Sequence, residues 1–421
     1  MTQFLMTTWD GAGVTPPMMS VARALVERGH RVRVLADPVL AAEVAAVGAE
    51  HRPWTRAPHR TERTPETHFV EDYHADLAGG FARMRDRLAV GPVASFAADV
   101  REELERQPAD VILSEVLLFG PLVAAEALGV PVVVLNSTIN MIPAAGVPPF
   151  GMGLMPATDE AGRRRDDELA AAMTAAWDEA LPALNAARAE QGLEPLEHVL
   201  DQARVAARVL VMTSRAFDFM GPLPPTVKHV GPRLVDPDWA RDWSPPAGEG
   251  PLVLVSLSCD FQDQENVLRR IVEAMGQLPV RALLTTGHGI DPSTITAPAN
   301  VTVVRAAPHT EVLGEAQLVI THCGHGITIK ALAAGVPLVC LPMGRDQLDV
   351  AARVVHAGAG VRLDMIADPR EIAAATRTVL ADGSYRDAAC RVASVIRDET
   401  ASDLALAEIE AVVKERAALA V

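Results

Sequence analysis

The sequence lacks any uninterrupted apolar run of the roughly eighteen residues that a membrane helix requires, although 49% of its residues are hydrophobic. No bilayer span is expected. The first ten residues, MTQFLMTTWD, lack a basic segment followed by a long apolar stretch, so no signal peptide is read there and a cytoplasmic protein is expected. Cysteine is scarce. Cys259, Cys323, Cys340 and Cys390 are too few and too scattered over 421 residues for a disulfide framework or a zinc site, which suggests reduced, structural thiols. Positive charge is also short: 38 basic residues face 54 acidic ones, and the formal charge of -16 argues against a nucleic-acid partner and mainly favours solubility. No short-period repeat is evident. The length exceeds what one core usually organises, so two domains are expected.

What the chain does have is strand then helix, repeated. Phe4 to Thr8 reads as a strand, Pro17 to Arg28 as a helix stopped by Gly29, and Val32 to Leu35 as the next strand, which opens a βαβ unit. Val111 to Leu113 and Pro131 to Leu135 read as buried parallel strands joined by a helix from Pro121 to Leu128. From Val230 to Gly250 the period disappears among prolines, acidic residues and tryptophans, which marks a linker over 231–250. The alternation then restarts with Leu252 to Leu257, a helix from about Asn266 to Met275, and strands at Val280 to Thr285 and Val301 to Val304. The reading is an α/β protein with one parallel-sheet domain over 1–230 and a second over 251–400.

The stretch Thr321 to Gln347, THCGHGITIKALAAGVPLVCLPMGRDQ, carries the most chemistry. Leu318 to Ile320 reads as a buried strand, Cys323 to Gly326 as a tight turn, and Thr328 to Ala334 has helical spacing. The amides of a helix start are unpaired and carry partial positive charge, so a diphosphate can sit there without a metal. His322 adds a donor. A second strand, Pro337 to Leu341, delivers Asp346 and Gln347 to its C-terminal end, where open α/β sheets bind ligands. A carboxylate beside an amide suits sugar hydroxyls, which both donate and accept. An ordinary strand-loop-helix with a satisfied histidine is the plainer alternative.

At these residues the chain resembles the GT-B family 1 glycosyltransferases, especially bacterial enzymes that decorate macrolides and other natural products. The family's pattern of H-G-G-x-G-T, Glu-Ala-Leu, Gly-Val-Pro and Asp-Gln stands here as His322-Cys323-Gly324-His325-Gly326-Ile327, Lys330-Ala331-Leu332, Gly335-Val336-Pro337 and Asp346-Gln347. The resemblance implies two Rossmann-like domains facing each other across a cleft, with residues from about 400 onward packing back on the first. It implies an inverting transfer of sugar from UDP or dTDP to a small hydrophobic natural product, with the nucleotide-sugar as co-substrate, no cofactor and no metal. A homodimer is the macromolecular partner left open. Donor contacts are expected from Gly13, Ser258, Ala306, His309, His322, Gly324, His325, Gly326, Ile327, Thr328, Asp346 and Gln347, with the backbone of Val304 to Ala307 clamping the base.

The chain also departs from the family. Ile327 replaces a Thr or Ser, so a phosphate contact is lost unless Thr328 supplies it, and Lys330 replaces a Glu that takes ribose hydroxyls. Val350 replaces an Asn. Val14 stands where the family's general-base His belongs, and valine cannot take a proton. Asp10 and Glu115 are the substitute candidates, since a carboxylate in a partly apolar cleft titrates in a useful range. Alternatively Asp10 caps a helix or braces the loop, and Glu115 is a solvated strand end. The acceptor pocket is expected from Met141, Pro148, Phe150, Met152 and Met155 of a Pro- and Gly-broken loop, with His68 and His74 in a segment able to fold over the cleft. Arg163-Arg164-Arg165 reads as a solvated turn before a helix beginning near Asp167. Asp236-Pro237-Asp238 has metal-binding Asp-x-Asp spacing but reads as solvated linker chemistry, and Gly11-Ala12-Gly13 lacks the rest of a dinucleotide fingerprint. Two rivals remain: a nucleotide-sugar epimerase of the same fold, and a non-catalytic relative that binds nucleotide or assists a partner transferase.

Overall fold

The computed structural model describes every residue except 12, 75, 237–239, 241–242 and 420–421, and the side chains of residues 74, 77 and 419. Two parallel sheets organise the chain. The first has the order β3-β2-β1-β4-β5-β6-β7, built from β1 (Gln3–Thr7), β2 (Arg31–Ala36), β3 (Glu50–Pro53), β4 (Val111–Glu115), β5 (Val132–Asn136), β6 (Arg208–Val211) and β7 (Val227–His229). The second has the order β10-β9-β8-β11-β12-β13, from β8 (Leu252–Ser256), β9 (Arg281–Thr285), β10 (Val301–Val304), β11 (Ala316–Thr321), β12 (Leu338–Cys340) and β13 (Gly360–Arg362). In both, the strand order reverses beside the first strand, which opens a crevice at the carboxyl ends where ligands bind.

The central strands are apolar on both faces because helices cover both. In β1, Leu5 packs into one cluster with Ile112, Val132 and Val134, while Phe4 and Met6 pack into another with Val34, Leu113 and Val133. The same split separates Leu252 and Leu254 from Val253 and Val255 in β8. Period-two alternation between two buried faces turns a strand into a continuous apolar run, which is why these strands stand out in the sequence.

The helix Leu404–Leu419 returns to the first sheet's domain. Ala405, Leu406, Ile409 and Val412 join the cluster of Phe4 and Leu25, and Arg208 bonds Glu408 at 2.9 Å and Glu415 at 2.5 Å. Among the described residues no helix is long and apolar enough to cross a membrane.

One sequence expectation fails here. The arginine run 163–165 is not a turn: it lies inside the helix Glu160–Asp178, which starts seven residues earlier than Asp167. Asp159 caps that helix, its carboxylate accepting from the Gly162 amide at 2.7 Å.

Candidate functional site

A cleft of about 3070 Å³ separates the two sheets and is lined from both domains. On the second domain's side, β11 ends at Thr321 and the helix His325–Ala333 begins after a turn in which Cys323 takes φ of 67°. His322, Gly324, His325, Gly326 and Ile327 line the cleft beside that helix start, with Ser258 and His309 nearby. Gly324 is fixed by packing, since a Cβ there would lie 2.7 Å from His322 Nε2. Burial, then the neighbouring Arg345 charge, pushes His322 down to about 3 against a hydrogen bond with the Ser256 backbone, so the ring is neutral and carries one N–H.

Thr328 does not supply the hydroxyl that Ile327 lacks. It is fully buried and faces the domain core, because successive residues of a helix turn by about 100° and the cleft-facing row runs Gly326, Ile327, Lys330. Ala306 does not line the cleft either. His325 crosses to the first domain, its Nε2 lying 2.8 Å from Thr213 Oγ1, and burial pushes it down to about 4.

Asp346 and Gln347 are both on the cleft wall, in bonded positions. Asp346 accepts from Thr138 Oγ1 across the cleft at 2.6 Å. Gln347 Oε1 accepts from the Met343 and Gly344 amides at 2.9 and 3.1 Å, and its Nε2 donates to Gln262 at 2.9 Å. The amide thus braces its own loop, with one N–H to spare. Lys330 is compensated by Asp236, Nζ to Oδ1 at 2.7 Å, and Asp236 also accepts from the Thr310 amide at 2.9 Å. The linker carboxylate is therefore an ion-pair partner on the cleft wall and not solvated turn chemistry; Pro237 and Asp238 lie outside the described residues.

The first domain contributes the two acidic candidates and a loop over 55–74. Asp10 is 3% exposed and bracketed by cations: Arg63 at 3.0 Å and Arg60 at 3.3 Å. Asp37 pins both sides of this arrangement, accepting from the Asp10 amide at 2.9 Å and the Arg60 amide at 2.5 Å. Such a carboxylate is committed to charge balance. Glu115, at the end of β4, is 1% exposed and is not the solvated strand end that the sequence left open. No cation pairs with it among the described residues; its Oε2 accepts from the Leu117 amide at 2.9 Å, and the Trp9 indole and the Val116 amide also donate towards the carboxylate. Burial, opposed by these N–H donors, pushes its carboxyl up to about 7. Gly13 and Val14 line the same cleft.

His68 Nδ1 accepts from the Glu71 amide at 3.1 Å, which leaves the proton on Nε2, 2.9 Å from Asp260 of the second domain. His68 is thus an interdomain tie. The His74 side chain lies outside the described residues. Met141, Pro148, Phe150 and Met152 line the cleft with Trp177 and Met173, whereas Met155 is 40% exposed and turned away from it. The loop is held from the second domain: Asp349 accepts from the amides of Gly151 at 2.6 Å and Gly153 at 3.2 Å, both glycines at positive φ.

The sequence reading missed Arg345, which takes φ of 56°, a left-handed conformation that costs a non-glycine residue roughly 1 kcal/mol. It bonds Asp72 of the first domain at 2.5 and 2.7 Å. Its place beside Asp346 was a signal; its partner, 273 positions away, was not.

Residues 194–419 match the family described as UDP-glucoronosyl and UDP-glucosyl transferase. The chain belongs to this family of glycosyltransferases. It is 32% identical over 415 residues to 4'-demethylrebeccamycin synthase of Lentzea aerocolonigenes, covering 94% of this chain and 95% of that one. It is 31% identical over 208 residues to NDP-glycosyltransferase YjiC of Bacillus subtilis (strain 168), covering 48% of this chain and 49% of that one. Among solved structures, the glycotransferase of kitacinnamycin superposes with a TM-score of 0.76 at 24% identity, covering 97% of this chain and 99% of that one. The calicheamicin glycosyltransferase CalG4 gives 0.76 at 22%, covering 98% of each. VinC in complex with DTDP gives 0.66 at 20%, covering 98% and 99%. The family and the two facing parallel-sheet domains make this glycosyltransferase a member of the GT-B fold.

Proposed function

We propose that the enzyme is an inverting, metal-independent glycosyltransferase that moves a sugar from UDP or dTDP to a small hydrophobic natural product, with Glu115 as general base. The observation that carries this reading is that Glu115 and the loop 322–327 line one cleft from opposite domains. A carboxyl near 7 is half ionised at neutral pH and can take a proton from an acceptor hydroxyl. The acceptor oxygen bonds to the anomeric carbon as the bond to the diphosphate breaks, its electron pair going to the departing phosphate oxygen and the acceptor proton to Glu115. Attack opposite the leaving group inverts the anomeric centre.

The amides at the start of helix His325–Ala333 and the neutral His322 N–H take the charge that develops on the diphosphate, which is positioning and electrostatic work with no metal needed. Asp346 faces the sugar and exchanges Thr138 for a sugar hydroxyl. Asp236, held by Lys330 and the Thr310 amide, restores a carboxylate acceptor for the donor ribose where Lys330 cannot accept. Met141, Phe150 and Met152 supply the adaptable apolar wall that a hydrophobic acceptor needs. Asp10 braces the loop through Arg60 and Arg63 and is not the base.

Mass spectrometry of reactions with a panel of UDP- and dTDP-sugars and hydrophobic acceptors, with and without EDTA, tests the reading. Product at the mass of acceptor plus sugar less water, unaffected by EDTA, supports it. Strict dependence on added metal, or conversion of donor without acceptor, refutes it.

A further inference from the structure

The cations around the donor loop are tied to carboxylates. Arg60 and Arg63 hold Asp10, Lys330 holds Asp236, and Arg345 holds Asp72. These pairs are not equivalent. Arg60 and Asp10 belong to one domain and are both nearly buried, with Arg60 also reaching the buried Asp260 of the second domain at 3.3 Å, whereas Arg345 and Asp72 come from opposite walls of the cleft and Arg345 keeps 30% of its side chain exposed. Arg345 is also the cation set between the sugar-facing Asp346 and the first domain's loop, with its Nη2 3.5 Å from His68 Nε2. Its field reaches His322, the ring beside the helix start that receives the diphosphate.

A nucleoside diphosphate brings about two negative charges into a wall that already carries Asp346, Asp260 and Asp72. His322 is neutral and cannot balance them, and Arg345 stands in a strained backbone conformation in which a glycine would be relaxed. A planar guanidinium that grips a carboxylate bidentately presents the same fork to two phosphate oxygens. We infer that Arg345 binds the diphosphate of the donor and that Asp72 occupies its guanidinium when no donor is present, so that donor binding exchanges one anion for the other. The assignment rests on the glycosyl-transfer reading of the cleft. The exchange frees Asp72 from the donor domain at the moment the donor is seated, while the 55–74 loop stays tied to that domain through His68 and Arg60 on Asp260.

Calorimetric titration of UDP and dTDP, with uridine and thymidine as phosphate-free controls, into the full-length wild type, Arg345→Gln and Asp72→Asn tests it. Arg345→Gln is expected to weaken diphosphate binding by about 10- to 100-fold, the worth of a charge-assisted pair, with little change for the nucleosides. Asp72→Asn is expected to tighten diphosphate binding severalfold because the competing carboxylate is gone. A pair that merely holds the domains together would make both variants weaker for diphosphates and nucleosides alike, and that result overturns the assignment. Equal diphosphate binding by wild type and Arg345→Gln overturns it alone, whereas a wild type that binds neither UDP nor dTDP overturns the donor reading and the assignment with it. Thermal unfolding of each variant checks that the fold is intact.

Discussion

Replacing Glu115 by Gln should inactivate the enzyme and stabilise it at once. The folded carboxyl titrates at about 7 against 4.5 for a free glutamate. Below pH 4.5 the group is protonated in both states and nothing is lost. Between 4.5 and 7 the unfolded chain ionises first, so stability falls as pH rises, and above 7 the whole penalty is present. At about 1.4 kcal/mol per pH unit this amounts to about 3 kcal/mol, an upper value for what the neutral Gln recovers, since its amide must find acceptors. The Leu117 amide can still donate to the Gln carbonyl. At pH 8 the variant should therefore melt several degrees above the wild type, while at pH 5 the two should differ little. Turnover should fall by about 100-fold or more, the usual worth of a positioned base. Wild-type turnover should rise with pH through about 7 and be about tenfold lower at pH 6 than at pH 8. Differential scanning calorimetry at the two pH values and initial-rate assays check this. A variant that keeps its activity, or that melts lower at pH 8, would refute the reasoning.

Asp10→Asn should act in the opposite sense on stability, because it removes the carboxylate that Arg60 and Arg63 share and leaves them only Asp260 and Glu43; a loss of about 1–3 kcal/mol is expected in thermal or denaturant unfolding. Gly324→Ala should drive its methyl group into the His322 ring and weaken UDP or dTDP binding by about tenfold in calorimetry. Ile409→Ala, in the returning C-terminal helix, should cost about 2–5 kcal/mol, read in urea unfolding, although it lies far from the cleft.

The parts of the fold legible in the sequence are those where burial on both faces writes a continuous apolar run, as in Leu252–Ser256 and Val132–Asn136. The edge strand Glu50–Pro53, EHRP, carries no such signal because it is half exposed and polar. The arginine run was misplaced because three charges outweighed the Asp159 cap four residues before them. On the cleft wall, the positions of the glycines and the Asp-Gln pair were legible from spacing, and that of Glu115 from its place at a strand end. Thr328 was misread because the true helix start at His325, which sets its direction, was placed three residues late. The ties across the cleft, Thr138 to Asp346, His68 to Asp260 and Arg345 to Asp72, join residues hundreds of positions apart. Local periodicity encodes none of them; only the meeting of two domains does.

In the proposed mechanism one cleft holds the donor against loop 322–327 and presents its anomeric carbon to Glu115. A crystal structure with an intact, non-hydrolysable UDP- or dTDP-sugar tests it most directly. Phosphate oxygens are expected within hydrogen-bond distance of His322 and the amides that follow Gly324, with the sugar between Asp346 and Glu115. A diphosphate seated elsewhere, or a sugar facing Asp10 with Glu115 sealed away from it, would rule this mechanism out.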